Sequence, residues 1–292
     1  MGTVYTLWTQ GSATLLSPTY LLQQLQVGAF LGIIAAGMML VILIGHIDLS
    51  VPWTLTAAAM MATAAGGTLA VPTGLGVGLL VGLLNGLGVA YLRVPSMIFT
   101  LGVNAVMRGL MVAHTGGFAP QTAATNLMRF IGAERIASVP VALLIWAAVS
   151  LVVSGLLTRT TFGKALYSIG NREAAAYLAG IRTRRIVVLA FALCGLAAGL
   201  SGVMLAGYAT KAYQGMGDAY LLPAIAAVVV GGTNILGGRG RYLGTLFGVV
   251  LIVLLNSVLS IMQMSEASRQ IIYGTVIIAM LLVYGRSDKI AN

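Results

Sequence analysis

Residues 158–185, TRTTFGKALYSIGNREAAAYLAGIRTRR, decide how the rest of the chain is read. Apolar runs flank the stretch on both sides, yet it holds six of the sixteen Lys and Arg residues. These are Arg159, Lys164, Arg172, Arg182, Arg184 and Arg185, against the single acid Glu173. A charged side chain at the centre of a hydrocarbon layer costs about 2.5–3.5 kcal/mol on insertion scales, so the stretch must face water. Its cation excess places it on the cytoplasmic side. Within it Asn171 stands where an N-cap is expected and Gly180 where a helix stops. The enclosed REAAAYLA predicts one short helix between two membrane spans. A single exposed helix on that face is a dock for a soluble partner.

The chain around this island is oily. Of 292 residues, 59% are hydrophobic and 8% charged, with a mean hydropathy of +0.99. Soluble domains carry about 25% charged residues, so this is an integral membrane protein. The net charge of +10 does not point to nucleic acid. The cations sit at the ends of apolar runs, which positive-inside topology explains, and no nucleic-acid motif accompanies them. The lone cysteine, Cys194, falls in an apolar run as a small packed side chain and allows no disulfide within one chain. Two histidines and one cysteine offer no metal cluster. The N-terminus lacks a basic n-region, so no cleaved signal peptide is expected.

Working outward, nine apolar runs fall at about 27–44, 52–70, 73–92, 96–113, 139–157, 186–208, 221–236, 242–262 and 269–284. All but the seventh approach the roughly 20 residues a helix needs to cross. The expectation is one all-α polytopic helix bundle, a single transmembrane domain over 1–292 with about nine spans. Residues 1–20 form a patchy N-terminal segment, and 158–185 the cytoplasmic loop. With that loop inside, Arg93, the Arg239/Arg241 turn and the tail are inside as well. Residues 114–138, 209–220 and 262–268 fall outside.

Two stretches could carry chemistry. GHIDLSVP, residues 45–52, contains Asp48, the only acid before Glu134. An acid at a membrane-buried helix break can cap the next helix, whose start Pro52 suits. It could also grip a polar solute or relay a proton. His46 reads as an interface histidine. The second stretch, AAVVVGGTNILGGRGRYLGT at 226–245, interrupts an apolar run with Gly231, Gly232, Gly237 and Gly238. Thr233 and Asn234 add a hydroxyl and an amide suited to a neutral polyhydroxyl solute. Helix-turn chemistry at a cytoplasmic turn is the plainer reading. Two interrupted segments, one in each half, match the broken helices of transporters. Asn85, Asn104, Arg108, Gln214 and Asn256 are polar residues inside apolar runs, with helix–helix hydrogen bonding as the default role. Their mostly uncharged character favours a neutral solute over an ion. No nucleotide loop exists, because Gly163-Lys164 is followed by Ala165.

Four pieces in order carry a family resemblance: MMLVILIGHIDLSVP, LYSIGNREAAAYLAGI, LCGLAAGLSGV and AIAAVVVGGTNILGGRGRYLGTLFGVVL. Over about residues 20–285 the chain resembles the permease subunit of bacterial ABC importers for monosaccharides, the ribose/xylose/galactoside type. The resemblance implies ten spans, so one more than counted here, reduced to or missing from residues 1–20. It implies a second permease subunit, identical or not, and a cytoplasmic ABC ATPase that binds the ATP, leaving this chain without a cofactor. It also implies a periplasmic sugar-binding protein, surrounding membrane lipid and residence in the bacterial inner membrane. It makes Gly170, Asn171, Arg172, Glu173, Ala174, Ala175, Tyr177 and Gly180 the coupling helix, with Lys164 beside it at the dock. A solute pathway would be shaped by Asp48, Ser50, Asn85, Asn104 and the Gly231–Asn234 segment. His46 and Pro52 depart from the small residues usual in that family.

Three rivals stand beside this reading. A proton-coupled secondary transporter would lean on Asp48 as its relay. A glycerol-type channel would need paired Asn-Pro-Ala caps, and no Asn-Pro dipeptide occurs. A branched-chain amino-acid ABC permease is the nearer alternative; the Ile-Asp-Leu-Ser and GGTN pieces look more like the sugar branch.

Overall fold

The computed structural model describes residues 17–118, 120 and 122–290. The expected remnant of an extra first span therefore lies, up to residue 16, outside the described residues. In chain order the helices begin with α1 (Pro18–Leu43), α2 (Val51–Ala65), α3 (Ala70–Leu92) and α4 (Ser96–Thr115). A short helix α5 (Asn126–Gly132) and a two-stranded antiparallel ribbon, β1 (Arg135–Ile136) with β2 (Val139–Pro140), precede α6 (Val141–Arg159). Then come α7 (Thr161–Asn171), α8 (Glu173–Leu178), α9 (Thr183–Tyr208), α10 (Leu221–Val230), α11 (Tyr242–Ile261) and α12 (Glu266–Ile290). The molecule is an all-α membrane bundle.

α1 is its axle. Its sequence is apolar on every side, as a helix surrounded by others must be, and 89% of its apolar window is buried. It starts where the Ser17 hydroxyl accepts the Tyr20 N–H at 3.3 Å, with Pro18 in the first turn, where a missing N–H costs nothing. It stops at Gly45, whose φ of +76° suits a residue without Cβ. There the N–H groups of Gly45 and His46 close back onto the carbonyls of Ile42 and Val41, at 2.9 and 3.1 Å.

α3 and α9 form the most extensive helix pair. Gly74, Gly78, Gly82 and Gly86 recur every fourth residue on α3; the first three face Gly195 and Gly199 of α9, and Gly86 faces Val188 and Phe191. A Cβ on Gly78 would run into the Gly195 carbonyl, and one on Gly82 into that of Phe191. In lipid, where no hydrophobic force draws helices together, such close backbone approach supplies the attraction.

Among the described residues, six helices are long and apolar enough to cross a membrane: α1, α3, α4, α6, α9 and α11. The run 52–70, expected as one full-length helix, is interrupted. It gives the 15-residue α2, about 22 Å long against a hydrocarbon core of about 30 Å, then a 3-10 turn at Gly67–Leu69. Gly66 at φ +62° ends α2 early. The seventh run is shorter still, a ten-residue α10 entered through a 3-10 turn at Asp218–Tyr220. These two short helices begin side by side. Gly217, just before α10, packs against the Pro52 backbone and donates its N–H to Thr56 Oγ1 at 3.1 Å. From that junction α10 runs to the end of the bundle that carries α7 and α8, and α2 runs the opposite way.

Candidate functional site

Residues 44–50 leave α1 and enter α2 without helix, so their backbone N–H groups need other acceptors inside the bundle. α4 supplies them. Ser96, Thr100 and Asn104 stand four residues apart on one face of that helix. Ser96 Oγ accepts from the Ile47 N–H at 3.4 Å, and Thr100 Oγ1 from the Leu49 N–H at 2.9 Å. Asn104 Oδ1 accepts from the Trp53 N–H at 3.3 Å. The ladder pins the break along its length.

On the opposite side of the break lies Asp48, 1% exposed. Its Oδ1 accepts the Ser50 N–H at 2.9 Å and the Ser50 hydroxyl at 2.7 Å. Asn85 Nδ2 reaches across from α3 to Asp48 Oδ1 at 3.2 Å and to Ser50 Oγ at 2.7 Å. Ser50 Oγ and Thr54 Oγ1 share a further bond at 3.2 Å. Asp48, Ser50 and Asn85 thus form one buried cluster at the start of α2, where a carboxylate also meets the positive end of the helix dipole. Asn104 stands beside the cluster, holding Trp53, rather than in it. Sequence reading missed Ser96, Thr100 and Thr54, although the four-residue spacing of Ser96, Thr100 and Asn104 was there to see.

The structure does not bring Gly231, Gly232, Thr233 and Asn234 to this cluster. They begin the turn after α10. Gly231 abuts Gly244 of α11, and buried Thr233 packs on Gly240. Asn234 folds the turn, its N–H donating to the Arg239 carbonyl at 2.8 Å and its Oδ1 accepting from the Leu236 N–H at 3.0 Å. Gly238 then donates its N–H to the Leu43 carbonyl, the last of α1, at 2.9 Å. Gly170 of α7 lies so close to Leu43 and Gly238 that no Cβ fits. Tyr167 of α7 donates its hydroxyl to the Gly240 carbonyl at 2.9 Å. The turn is wedged between the end of α1 and α7.

The basic loop contains two helices rather than one. Gly170 and Asn171 belong to the end of α7, and Arg172, extended at φ −164°, is the residue before α8. The expected N-cap at Asn171 is therefore corrected to Arg172. α7 forms because Thr160 caps it, its hydroxyl accepting the Gly163 N–H at 3.2 Å, and because Gly163, Ala165, Leu166 and Ile169 give it a buried face. Gly180 ends the segment at φ +84°, as expected. Lys164, Glu173, Ala174 and Ala175 are exposed, and Tyr177 and Leu178 are 68% and 85% exposed.

A break pinned by polar side chains, opposed short helices and a protruding helix between spans are the marks of a transport subunit. The family described as "Branched-chain amino acid transport system / permease component" matches residues 20–281. The chain belongs to this permease family. It is 36% identical to the ribose import permease protein RbsC of Escherichia coli over 271 residues, 90% of this chain and 84% of that one. To the ribose import permease protein of Bacillus subtilis it is 35% identical over 274 residues, 92% and 85% of the two chains. To the autoinducer 2 import system permease protein LsrC of Yersinia pseudotuberculosis it is 32% identical over 261 residues, 87% and 74%. No solved structure matches it.

The other polar residues singled out from the sequence tie segments of the permease together. Gln214 Nε2 donates to Thr115 Oγ1 at 2.9 Å, and Arg269 Nη1 to Asn256 Oδ1 at 3.2 Å. Arg108 lies over the Trp53 ring, 5.8 Å from its centroid. His46, at the turn after α1, sits against Phe191 with ring centroids 6.1 Å apart. Burial holds its imidazole below the ordinary value, and Glu173 opposes this less strongly.

Proposed function

We propose that this chain is the membrane permease subunit of an ATP-driven importer for a neutral monosaccharide in the bacterial inner membrane. A separate cytoplasmic ABC ATPase binds and hydrolyses the nucleotide, a periplasmic sugar-binding protein delivers the solute, and a second permease subunit completes the pathway. The chain itself is no enzyme and holds no cofactor. The ribose import named for its relatives supports the solute class, as does the uncharged make-up of its buried polar residues other than Asp48.

The observation that carries this reading is α8. Its Tyr177 and Leu178 are large apolar side chains held out in solvent within a cationic loop. An exposed apolar tip costs solubility unless something covers it. Nucleotide-driven closure of the ATPase would push α8, and α7 would carry the push through Gly170 to Leu43 and Gly238. The end of α1, and with it the break at Asp48, would then shift. The Gly231–Asn234 turn belongs to this transmission, while Asp48, Ser50, Asn85 and Asn104 hold the break at which the pathway opens. Leu178→Asp should abolish co-purification with the ATPase and nucleotide-dependent uptake of ribose while leaving Tm unchanged. Full nucleotide-dependent uptake after deletion of residues 171–180 would overturn the proposal.

A further inference from the structure

Beside α8 lies a half-open cavity of about 800 Å3, its arginines exposed. Arg93, Arg182, Arg184 and Arg185 line it together with His46 and a single carboxylate, Glu173. Among the described residues none of these four arginines forms an ion pair. Arg184 is laid over the Tyr91 ring, 5.5 Å from its centroid, which fixes its guanidinium at the cavity wall. The first turn of α9, from Thr183, opens on the same space, so the positive end of a 26-residue helix joins the guanidinium groups.

Positive-inside topology accounts for cations on this face, but not for this arrangement. It does not require four cations, each an Arg whose planar fork matches phosphate oxygens in pairs, to line one cavity beside His46. Nor does it require convergence. Arg93 ends α3 in the left-handed region at φ +55°, where glycine would be unstrained, which sets its side chain at the cavity.

We propose that this cavity binds a phosphate group, carried by a soluble phosphorylated molecule or by the headgroup of an anionic lipid. The volume falls within the range of about 300–1,000 Å3 usual for small-molecule sites. Its walls are α8 on one side and the turn holding His46 on the other, so a bound phosphate bridges the docking helix to the end of α1.

The test uses the full-length chain in phosphatidylcholine nanodiscs, titrated with inorganic pyrophosphate and followed by 31P NMR line width and calorimetry. Saturable binding is expected, weakened about tenfold or more by Arg184→Gln or Arg93→Gly. Arg93→Gly should leave Tm unchanged or higher, since it relieves the left-handed arginine, so weakened binding cannot be put down to misfolding. Bound pyrophosphate should slow amide exchange in residues 173–178. A second arm repeats the titration in nanodiscs containing phosphatidylglycerol. Loss of pyrophosphate binding there identifies the lipid headgroup as occupant; retention identifies the soluble phosphate. No saturable binding in either disc, or equal binding by wild type and both arginine variants, overturns the proposal. Neither arm measures transport, so failure here leaves the import function standing.

Discussion

Asn85 Nδ2 donates to both carboxylate oxygens of Asp48, at 3.2 and 3.4 Å, while its own buried Oδ1 has no hydrogen-bond partner. The pair joins α3 to the break before α2, and its two variants at position 48 separate structure from proton transfer. Asp48→Ala strands the Ser50 and Asn85 donors, and each buried donor left without an acceptor costs about 1–3 kcal/mol. A clear fall in Tm in detergent is expected. Asp48→Asn keeps the shape, and a half-turn of the Asn85 amide offers the unused Oδ1 to the new NH2. That variant should melt near wild type and retain nucleotide-driven uptake, whereas a proton relay through Asp48 would be lost.

Thr100 is the middle rung of the α4 ladder, accepting from Leu49 at 2.9 Å while donating to the Ser96 carbonyl at 2.8 Å. Thr100→Val preserves shape but removes the acceptor, at a cost of about 1–3 kcal/mol for the stranded N–H. Thr100→Ser keeps the hydroxyl and should cost less. Thermal unfolding of the two variants in detergent distinguishes them; equal Tm values would mean that the break does not depend on this bond.

The membrane class and a short exposed helix within the basic loop were legible in the sequence, because charge in an oily chain has few places to go. Helix lengths were less so. Residues 52–70 carry no charge, and hydropathy cannot tell a crossing from a 15-residue helix that stops at Gly66 and begins again at Ala70. Asn171 looked like an N-cap because its side chain suits one, but the Gly163–Ile169 face of α7 buries well enough to carry the helix through it. The Gly231–Asn234 turn invited a pathway role by its composition. Its position was decided by pairs far apart in sequence, Gly238 with Leu43 and Gly170 with both, that no local pattern reveals.

The glycine seam gives a contrast within one helix. Gly78 faces Gly195 with no room for a Cβ, while nothing lies within 4 Å of a Cβ on Gly76. Gly78→Ala must push α3 from α9 and should lower Tm, overpacking costing about 1–3 kcal/mol. Gly76→Ala gains helix propensity, up to about 1 kcal/mol, and should leave Tm unchanged or raised. Similar melting of the two variants would mean that the seam is not tightly packed.

His46 supplies a pH dependence with a defined sign. Burial lowers its imidazole below the ordinary value of about 6.5, with Glu173 a weaker opposing influence. As pH falls through 6.5 the unfolded chain takes up a proton that the folded chain still refuses, so the unfolded state gains. The stability His46 contributes is complete above that pH and is lost progressively as pH drops through the lower folded value. His46→Gln removes the titration while keeping a polar side chain. Between about pH 7 and about pH 5 the Tm of the wild type should fall more steeply than that of the variant. Parallel lines would show that His46 is as easily protonated in the folded permease as in the unfolded chain, and that its packing against Phe191 does not exclude the charge.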